Sequence, residues 1–463
     1  MIGNLKSYSK YKESGVPWLG EVPAHWDVLP NRTLFVEVKE RGHIDEQLLS
    51  VTISQGVIRQ SDLLTNSSKK DSSNEDKTKY KIVNPGDIAY NKMRAWQGAV
   101  GVSQYRGIVS PAYIVVRPRD KQNAMYFHYL LRTPVFAKES ERWSYGITSD
   151  QWSLRSEHFK MIYCSVPSES EQSIIVEFLD NIDFRIRRYI RAKQKVIKLL
   201  NEQKQAIINK AVARGIDPNV RLKPSGVDWL GDIPEHWNLR RLKFLVDNVN
   251  KQTSSKMDEE IYIALDQIES WTGKISFPEA EVIFESQVKR FRAGDILFCK
   301  LIPYLAKVTR SKQNGVCVGE LLVLRSQRAD LLPEFIEQKL RSVQIINIVN
   351  SSTFGAKMPR ADWSFIGNLL IAYPDSTQEQ KTILDFIDKN TQRLSLAIEQ
   401  IQEEINLFIE YQTRIISDVV TGKVDVRGIQ LPEVEDIGEP ESQDEQEILG
   451  EVEDSEEVMN ADE

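Results

Sequence analysis

Three short stretches of the chain hold residue types that could do chemistry, and each lacks part of the pattern that this chemistry needs. Residues 84–87, Asn-Pro-Gly-Asp, resemble the Asn-Pro-Pro-aromatic motif of adenine N6-methylation, but the second proline and the aromatic residue are missing. Residues 272–275, Thr-Gly-Lys-Ile, lack the earlier glycine and the final hydroxyl of a phosphate-binding loop. Residues 374–375, Pro-Asp, and 379–381, Glu-Gln-Lys, imitate a nuclease signature, but the second stretch opens a predicted helix instead of a strand. The sequence therefore predicts no catalytic residue and a protein that is not an enzyme by itself.

Histidine and cysteine, the usual ligands of transition metals, form no ligand pattern in this sequence. His25 and His236 each stand between a proline and a tryptophan, with no acidic residue or cysteine at ligand spacing. Cys164, Cys299 and Cys317 lie far apart and lack CxxC spacing, which predicts a reducing cytoplasm and no metal site. We expect the two histidines to pack and hydrogen-bond around their tryptophans.

The length and composition predict a cytoplasmic globular protein of about two to four domains. A chain of 463 residues is longer than one core usually supports. It has no run of 18 apolar residues, and its first residues lack the apolar segment of a secretory signal. We therefore expect neither a membrane span nor secretion.

The net charge of −7 conceals a basic body. Residues 431–463 hold fifteen of the 67 acidic residues and no Lys or Arg. The rest of the chain carries 60 basic against 52 acidic residues, a net charge of about +8 that could attract a polyanion. The acidic tail is predicted to be disordered, either as a solubilising segment or as a competitor of nucleic acid for the basic body.

A thirteen-residue segment occurs twice, as SGVPWLGEVPAHW at residues 14–26 and as SGVDWLGDIPEHW at residues 225–237, with nine identical residues. Further matched pairs at nearly the same offset are NPGDIAYNK (84–92) with RAGDILFCK (292–300), GIVSPAYIVVR (107–117) with GVCVGELLVLR (315–325), and EQSIIVEFLDNID (171–183) with EQKTILDFIDKNT (379–391). The apolar pattern is kept while most surface residues differ, which indicates two structural copies with different surface tasks. The second copy also identifies Asn-Pro-Gly-Asp as a turn before a strand, because it has Arg-Ala-Gly-Asp there.

Each copy has the same order, in which the Trp segment precedes about 140 residues of strands and helices and one long helix follows. The predicted fold is α+β, with two mixed α/β domains separated by two long antiparallel coiled-coil helices in a pseudo-two-fold, circularly permuted internal duplication. The predicted boundaries are 1–27 for the N-terminal segment, 28–168 for the first domain, 169–214 for the central helix, 215–238 for the linker and second Trp segment, 239–376 for the second domain, 377–428 for the C-terminal helix and 429–463 for the acidic tail.

The long helices are predicted from apolar residues at alternating steps of three and four in two proline-free stretches, 168–217 and 375–430. Each helix could reach about 40 residues, or about 60 Å. The simplest arrangement pairs the two helices with each other, although each could instead pack on its own domain. Apolar residues beside the seam leave surface for a further protein partner.

The repeated Trp segments stand where each mixed domain begins, and the second of them follows the first long helix. If the N-terminus docks beside the end of the second helix, near residues 421–428, both segments gain the same surroundings. The conserved positions of the two segments are then structural clamps between helix and domain. These clamp residues are Trp18, His25, Trp26, Trp229, His236 and Trp237.

Two non-identical domains on a rigid, basic frame indicate a bipartite target on double-stranded DNA, read at a fixed spacing. Pseudo-two-fold symmetry suits a duplex, because its strands are related in the same way. The full order resembles the specificity subunits of type I restriction–modification systems. That order comprises SGVxWLGxxPxHW, Gly-Asp-Ile, a closing proline followed by Glu-Gln (residues 171–172 and 379–380), a long helix and the whole set again. The final VVTGKVDVRG (419–428) also resembles this family, and the resemblance covers roughly residues 11–430.

The resemblance implies that each mixed domain is a target recognition domain for one half of a bipartite DNA sequence and that the helices set the spacer. It also implies two methyltransferase (modification) subunits and, for restriction, motor–nuclease subunits as partners. S-adenosylmethionine, ATP and Mg²⁺ belong to those partners, and this subunit holds no cofactor.

Two regions per domain carry side chains that can read bases or bind phosphate. One follows Gly-Asp-Ile and the other surrounds a matched glycine, Gly146 or Gly355. The DNA-binding candidates are Asn91, Lys92, Arg94, Trp96, Gln97, Arg142, Tyr145, Thr148, Gln151, Trp152 and Arg155 in the first domain, with Lys300, Tyr304, Lys307, Lys357, Arg360 and Trp363 in the second.

Two other functions stay open at this point. The chain could specify sequence for another methylation-based phage-defence complex without a nuclease, or it could be a coiled-coil scaffold that binds no DNA. The basic body and the two diverged polar–aromatic regions argue against the scaffold.

Overall fold

The protein divides into two compact units in a computed structural model that describes residues 5–65, 76–146, 152–277, 287–355 and 358–431. The first unit comprises Met1–Gln194 with Glu403–Glu463, and the second comprises Lys195–Gln402. We call residues 28–168 the first head and residues 239–376 the second head. Among the described residues, no helix combines the length and the apolar character that a membrane crossing needs.

The first unit begins with short strands and ends its head at a long helix. Its strands are β1 (Tyr11–Glu13), β2 (Glu21–Pro23), β3 (Asp27–Pro30), β4 (Phe35–Val38), β5 (Leu49–Thr52), β6 (Gly56–Arg59), β7 (Lys81–Val83), β8 (Ile88–Asn91), β9 (Val100–Val102), β10 (Gly107–Val109), β11 (Tyr113–Pro118) and β12 (Tyr163–Val166). Its helices are α1 (Asn31–Leu34), α2 (Gln60–Thr65), α3 (Ala124–Leu131), α4 (Pro134–Trp143), α5 (Ser156–Phe159) and the start of α6 (Glu169–Arg214).

The first head is built on a four-stranded antiparallel sheet in the order β4-β11-β8-β9. Its central strands are apolar, and Ile88, Ala89 and Val115 are fully buried. At the two ends of the head, β3 pairs with β12 in antiparallel register. The chain therefore enters and leaves the head side by side, directly before α6 begins.

The second unit contains a comparable set of elements. Its strands are β13 (Leu222–Pro224), β14 (Asp232–Pro234), β15 (Asn238–Arg241), β16 (Val246–Val249), β17 (Gln252–Thr253), β18 (Ile261–Ile263), β19 (Val288–Phe291), β20 (Ile296–Cys299), β21 (Val308–Arg310), β22 (Gly315–Cys317), β23 (Leu321–Ser326) and β24 (Leu370–Tyr373). Its helices are α7 (Pro333–Leu340), α8 (Val343–Ser351), α9 (Trp363–Ile366) and the start of α10 (Thr377–Val420).

The main sheet of the second head has the strand order β16-β23-β20-β21. The chain fills the positions of this sheet in the same order as in the sheet of the first head, β4-β11-β8-β9. Strands β15 and β24 pair at the two ends of this head, as β3 and β12 do in the other. A further sheet, β17-β19-β22-β18, contains one parallel pair, β18 with β22. The protein thus has an α+β fold with mixed helices and sheets, as predicted.

The predicted turn at residues 84–87 is present and is closed by its aspartate. The Asp87 carboxylate accepts the N–H of Asn84 at 2.9 Å and two hydrogen bonds from the Arg117 guanidinium, at 2.6 and 2.9 Å. Gly86 has φ +87°, a conformation that glycine adopts without strain. Asp295 and Arg325 form the same bidentate pair in the second head, at 2.8 and 2.6 Å. The repeated Gly-Asp-Ile motif is therefore part of the sheet's framework.

Both long helices begin with a serine that caps the first turn. The hydroxyl of Ser168 accepts the N–H of Glu171, and that of Ser376 accepts the N–H of Glu379, each at 3.3 Å. The helices run without interruption for 46 and 44 residues, in agreement with the absence of proline.

Within the first unit, the start of α6 packs against the end of α10. Tyr189 donates to Glu404 at 3.0 Å and its ring lies 4.4 Å from that of Phe408, while Lys193 is 2.7 Å from Glu404. Gln412 donates to Asp183. As the residue numbers of the contacting side chains rise along α6, those of their partners along α10 fall, so the two segments are antiparallel in this unit.

The second unit contains the remaining parts of the same two helices. Here Lys204 on α6 donates to the hydroxyl of Ser395 on α10 at 2.9 Å. The end of α6 contributes Ala211 and Val212 to the apolar core of the second head, beside Ile383 and Ile387 of α10. In the first unit the head likewise contacts both helices, since Tyr129 donates to Asp180 of α6 and Tyr126 donates to the Val420 carbonyl of α10.

Candidate nucleic-acid interface

In the first head, the first predicted region is a tight loop after β8. The Asn91 side chain accepts the N–H of Met93 at 3.0 Å, and the Trp96 indole donates to the Met93 carbonyl at 2.9 Å. A 3₁₀ turn over Ala95–Gln97 follows and ends at Gly98. These local bonds hold the loop, so the half-buried side chains of Lys92, Arg94 and Gln97 are presented from a fixed backbone.

The second predicted region lies directly beside this loop. The backbones of Tyr145 and Ser153 exchange hydrogen bonds, and the N–H of Leu154 donates to the Lys92 carbonyl at 2.7 Å. The rings of Trp152 and Trp96 meet edge to face at 5.5 Å. The structure thus brings together two sets of residues that are about 50 positions apart in the sequence.

An open cleft of about 550 Å³ lies between the two regions. Lys92, Tyr145 and Arg155 line it together with two carboxylates, Glu37 and Glu157. Burial alone would raise the pKa of Glu37, but hydrogen bonds from Lys160 and Ser156 lower it below its ordinary value. Glu37 is therefore ionised and paired with Lys160, so the two cations Lys92 and Arg155 outnumber the one remaining carboxylate of the cleft, Glu157.

The remaining predicted residues of the first head have different positions. Arg142 is exposed at the end of α4 and lies 3.8 Å from Glu139, a weak contact that leaves it accessible. Thr148 and Gln151 lie outside the described residues.

The second head builds the same arrangement from other side chains. Phe354 and Arg360 exchange backbone hydrogen bonds, and the N–H of Ala361 donates to the Lys300 carbonyl at 2.8 Å. Glu320 accepts a hydrogen bond from Arg360 at 2.8 Å and lies 3.9 Å from the Lys300 amine. Tyr304 is half-exposed on a neighbouring 3₁₀ turn.

Three predicted residues of the second head are less available or not described. The Lys307 amine donates to the Leu265 carbonyl at 2.7 Å, which ties it to the fold. Trp363 is half-buried at the start of α9 and packs against the core of the second unit. Lys357 lies outside the described residues.

Of the predicted clamp residues, His25, His236 and Trp237 contact the first turn of a long helix, whereas Trp18 meets the ring of Phe136 on α4. Trp26 and Trp237 are buried, whereas Trp18 and Trp229 are half-buried. His25 lies 2.9 Å from the Glu171 carboxylate, and His236 lies 3.0 Å from that of Glu379. The sequence showed no acidic residue at ligand spacing from either histidine, and these two partners are 146 and 143 positions away. The repeated Glu-Gln at both helix starts was the available signal for them.

Four further residues fix these junctions. Gln172 binds the backbone of Pro167 and Asn123, and Gln380 binds that of Pro374 and Leu332. In the first unit, Tyr8 donates to Glu171 at 2.9 Å and lies under the Arg427 guanidinium. The N-terminal segment also meets the end of α10, because the N–H of Asp425 donates to the Lys6 carbonyl at 2.7 Å.

Gly422 explains how closely the first Trp segment approaches the end of α10. It has φ +80°, and a Cβ at this position would lie 2.3 Å from Pro23 and 3.1 Å from the Trp26 ring. Only glycine satisfies both the backbone and this contact.

Among the described residues, no group of three or more His, Cys, Asp or Glu side chains is arranged to hold a metal ion. The three cysteines are buried, and burial raises the pKa of Cys299 to about 11 and that of Cys317 to about 12. They are therefore poor nucleophiles.

Residues 39–199 match a family model described as the type I restriction modification DNA specificity domain. The type I restriction enzyme EcoDI specificity subunit of Escherichia coli is 28% identical over 187 residues, in a match that covers 36% of this chain and 41% of that subunit. The MjaVIII specificity subunit of Methanocaldococcus jannaschii is 26% identical over 170 residues and is matched over 36% of its length. The chain therefore spans about two fifths of the curated relatives that it matches.

A solved structure concerning complex assembly and conformational transition of the type I R-M system has the same fold. It covers 88% of this chain and 99% of its own, with a TM-score of 0.58 and 12% sequence identity. The resemblance predicted from the repeated order is confirmed by these matches.

Proposed function

The chain carries a type I restriction modification DNA specificity domain, and from this premise we propose that it is the DNA sequence-specificity subunit of a type I restriction–modification complex. Each head reads one half of a bipartite site on double-stranded DNA. The observation that carries this proposal is the pair of loops that meets at Lys92 in one head and at Lys300 in the other. The loop framework is shared, and the side chains around it differ, as two different half-sites require.

The charges at these loops support a nucleic-acid ligand. Lys92 and Arg155 face the first cleft, and Arg142 is accessible beside it. In the second head, Arg360 and Tyr304 are exposed. Lysine and arginine side chains bind the DNA phosphates, and amide or guanidinium groups hydrogen-bond the base edges. The loops can therefore both position the head on the DNA and read its sequence.

We propose that α6 and α10 form one antiparallel rod whose length sets the spacer between the half-sites. The contacts at Tyr189 with Glu404 and at Lys204 with Ser395 support this arrangement. The contact of Lys6 with Asp425 supports the circularly permuted duplication, because it brings the residues before the first Trp segment beside those that follow α10, as the linker does between α6 and the second Trp segment. The six clamp residues then join each head to the rod.

The partners are double-stranded DNA, two methyltransferase subunits and, in restriction, motor–nuclease subunits. S-adenosylmethionine, ATP and Mg²⁺ serve those subunits, and this chain supplies no catalytic group. The same chain could serve a methylation complex without nuclease subunits, and its heads would then act identically.

A footprint of the assembled complex tests the proposal. The chain with its methyltransferase subunits should protect two short DNA segments separated by a gap. The double variant Lys92→Ala, Arg155→Ala should weaken protection of one segment, whereas Lys12→Ala, on an exposed strand outside the heads, should leave both protected. A complex that protects no gapped site would support the scaffold alternative instead.

A further inference from the structure

Two aromatic side chains are more exposed than any other large hydrophobic residue that the structure describes. Tyr145 is 74% exposed in the first head, and Phe354 is 68% exposed in the second. Single exposed apolar side chains are common on protein surfaces, so what distinguishes these two rings is their placement at equivalent positions beside cationic side chains.

The two rings occupy equivalent places. Tyr145 begins the short hairpin that pairs with Ser153, and Phe354 begins the hairpin that pairs with Arg360. The residue after each hairpin donates its N–H to the carbonyl of the matched lysine, Lys92 or Lys300. A glycine follows each ring, and Gly355 has φ +96°.

This equivalence separates the two rings from the readout residues. Side chains that read different half-sites must differ between the heads, as Ser153 and Arg360 do opposite the two rings. An aromatic ring that is kept in both heads, within loops that otherwise differ, must do something that both half-sites need. One such task is common to any base that is methylated, because the base has to leave the helical stack before it reacts.

We propose that Tyr145 and Phe354 are wedges that insert into the base stack, each at its own half-site. Each ring stacks on the neighbouring bases at the position from which the base to be methylated has left the helix. This inference rests on the proposed function. Apolar side chains that insert between base pairs are an established means of unstacking DNA, and stacking of a ring on a base stabilises the opened site. Lys92 and Lys300, behind the hairpins, hold the neighbouring phosphate.

The charge around the rings favours DNA over a protein surface. Lys92 and Arg155 line the cleft beside Tyr145 and outnumber Glu157, since the other carboxylate there, Glu37, is paired with Lys160. Next to Phe354, Arg360 and Lys300 share a single carboxylate, Glu320. A ring flanked by cations matches a base flanked by phosphates.

The test uses the complex with its methyltransferase subunits and a duplex containing its methylated site. Single-turnover methylation is measured at each half-site separately, with a fluorescent base analogue at the methylated position to report unstacking. Tyr145→Ala should lower the methylation rate about ten-fold or more at one half-site, and Phe354→Ala should do so at the other. Tyr145→Phe should retain the rate, since the ring is kept.

Two controls give the result its meaning. Phe244→Ala removes a ring that is 56% exposed outside these hairpins and should change neither rate. A duplex with an abasic site opposite the methylated base should restore the rate of Tyr145→Ala, because that base is already weakly held.

Unchanged rates in both alanine variants would overturn the wedge. Loss of the methyltransferase subunits from these variants, seen by gel filtration, would also overturn it by assigning the rings to a protein contact. Neither outcome touches the proposed function, which fails only if the unmodified complex protects no gapped site.

Discussion

Asp87 closes its turn and pairs with Arg117 at the same time, and Asp295 does both for the second head. Each carboxylate is buried, whereas its arginine keeps part of its surface in water. The energetic value of the pair should therefore lie between that of an exposed and that of a buried ion pair.

Replacement of Asp87 by alanine should destabilise the first unit by roughly 2–3 kcal/mol, because it opens the turn and leaves Arg117 unpaired. Chemical denaturation measures this change. As a matched control, Glu46→Ala breaks the exposed pair with Arg106 and should cost less than about 1 kcal/mol. Equal effects of the two variants would contradict the structural role of Asp87.

Lys339 gives a prediction about pH. It is fully buried, its amine donates to the Val212 carbonyl at 2.7 Å near the end of α6, and burial lowers its pKa to about 7. The unfolded lysine keeps its ordinary pKa, so between pH 7 and about 10 unfolding takes up a proton and the folded state gains stability as pH rises.

Lys339→Met removes this proton uptake. The free energy of unfolding of the variant, relative to that of the unmodified protein, should therefore be highest near pH 7. It should fall towards pH 10 by about 1.4 kcal/mol for each pH unit. Thermal or chemical unfolding across this range measures the difference. Parallel stability curves would show that Lys339 is not buried as a neutral amine.

The sequence predicted residue roles where they are local or repeated. The turn at residues 84–87 could be predicted, because a copy with Arg-Ala-Gly-Asp excluded the competing interpretation. The partners of His25 and His236 could not, because a contact across more than 140 residues depends on how β3 and β12 bring the chain back to the start of α6. Lys307 looked like a DNA contact, but the local sequence gave no sign of the Leu265 carbonyl that binds it.

At the scale of elements, the two long helices carry the most specific prediction. The first unit contains α6 up to Gln194 and α10 from Glu403 onwards, and the second unit contains the remaining part of each helix. Insertions at these two boundaries leave the pairs of Tyr189 with Glu404 and of Lys204 with Ser395 unchanged.

Seven helical residues inserted after both Gln194 and Gln402 should lengthen the recognised spacer and keep both half-sites. Seven residues add about 10 Å of helix, which corresponds to about three base pairs of duplex. Methylation sequencing of a host with this variant measures the spacer. The same insertion in α6 alone should prevent assembly, since it shifts the register of the pair, and a normal spacer in the double insertion would contradict the proposed rod.

The sequence defined these helices well because an apolar repeat without proline leaves few alternatives over 40 residues. It defined the strands less well. Strands such as β17 (Gln252–Thr253) and β7 (Lys81–Val83) are two or three residues long, and their pairing with distant strands has no local signal.

At the scale of the whole molecule, the two heads should be exchangeable parts. Their sheets have the same strand order, and each has its own pair of hydrogen-bonded strands at the entrance and exit. Replacement of residues 28–167 by the corresponding segment of a relative should change one half-site and leave the other and the spacer unchanged. Methylation sequencing checks this result, and a change in both half-sites would show that the heads do not read independently.

We propose that this chain directs a methylating complex to a bipartite DNA sequence. The most direct measurement is genome-wide methylation sequencing of a host that carries the chain with its methyltransferase subunits, compared with a host in which this chain is deleted. We predict methylation at one gapped motif, with two specific half-sites around an unspecified spacer, that disappears on deletion. Methylation at a continuous motif, or a pattern that is the same in both hosts, would show that this chain does not direct methylation to a bipartite site.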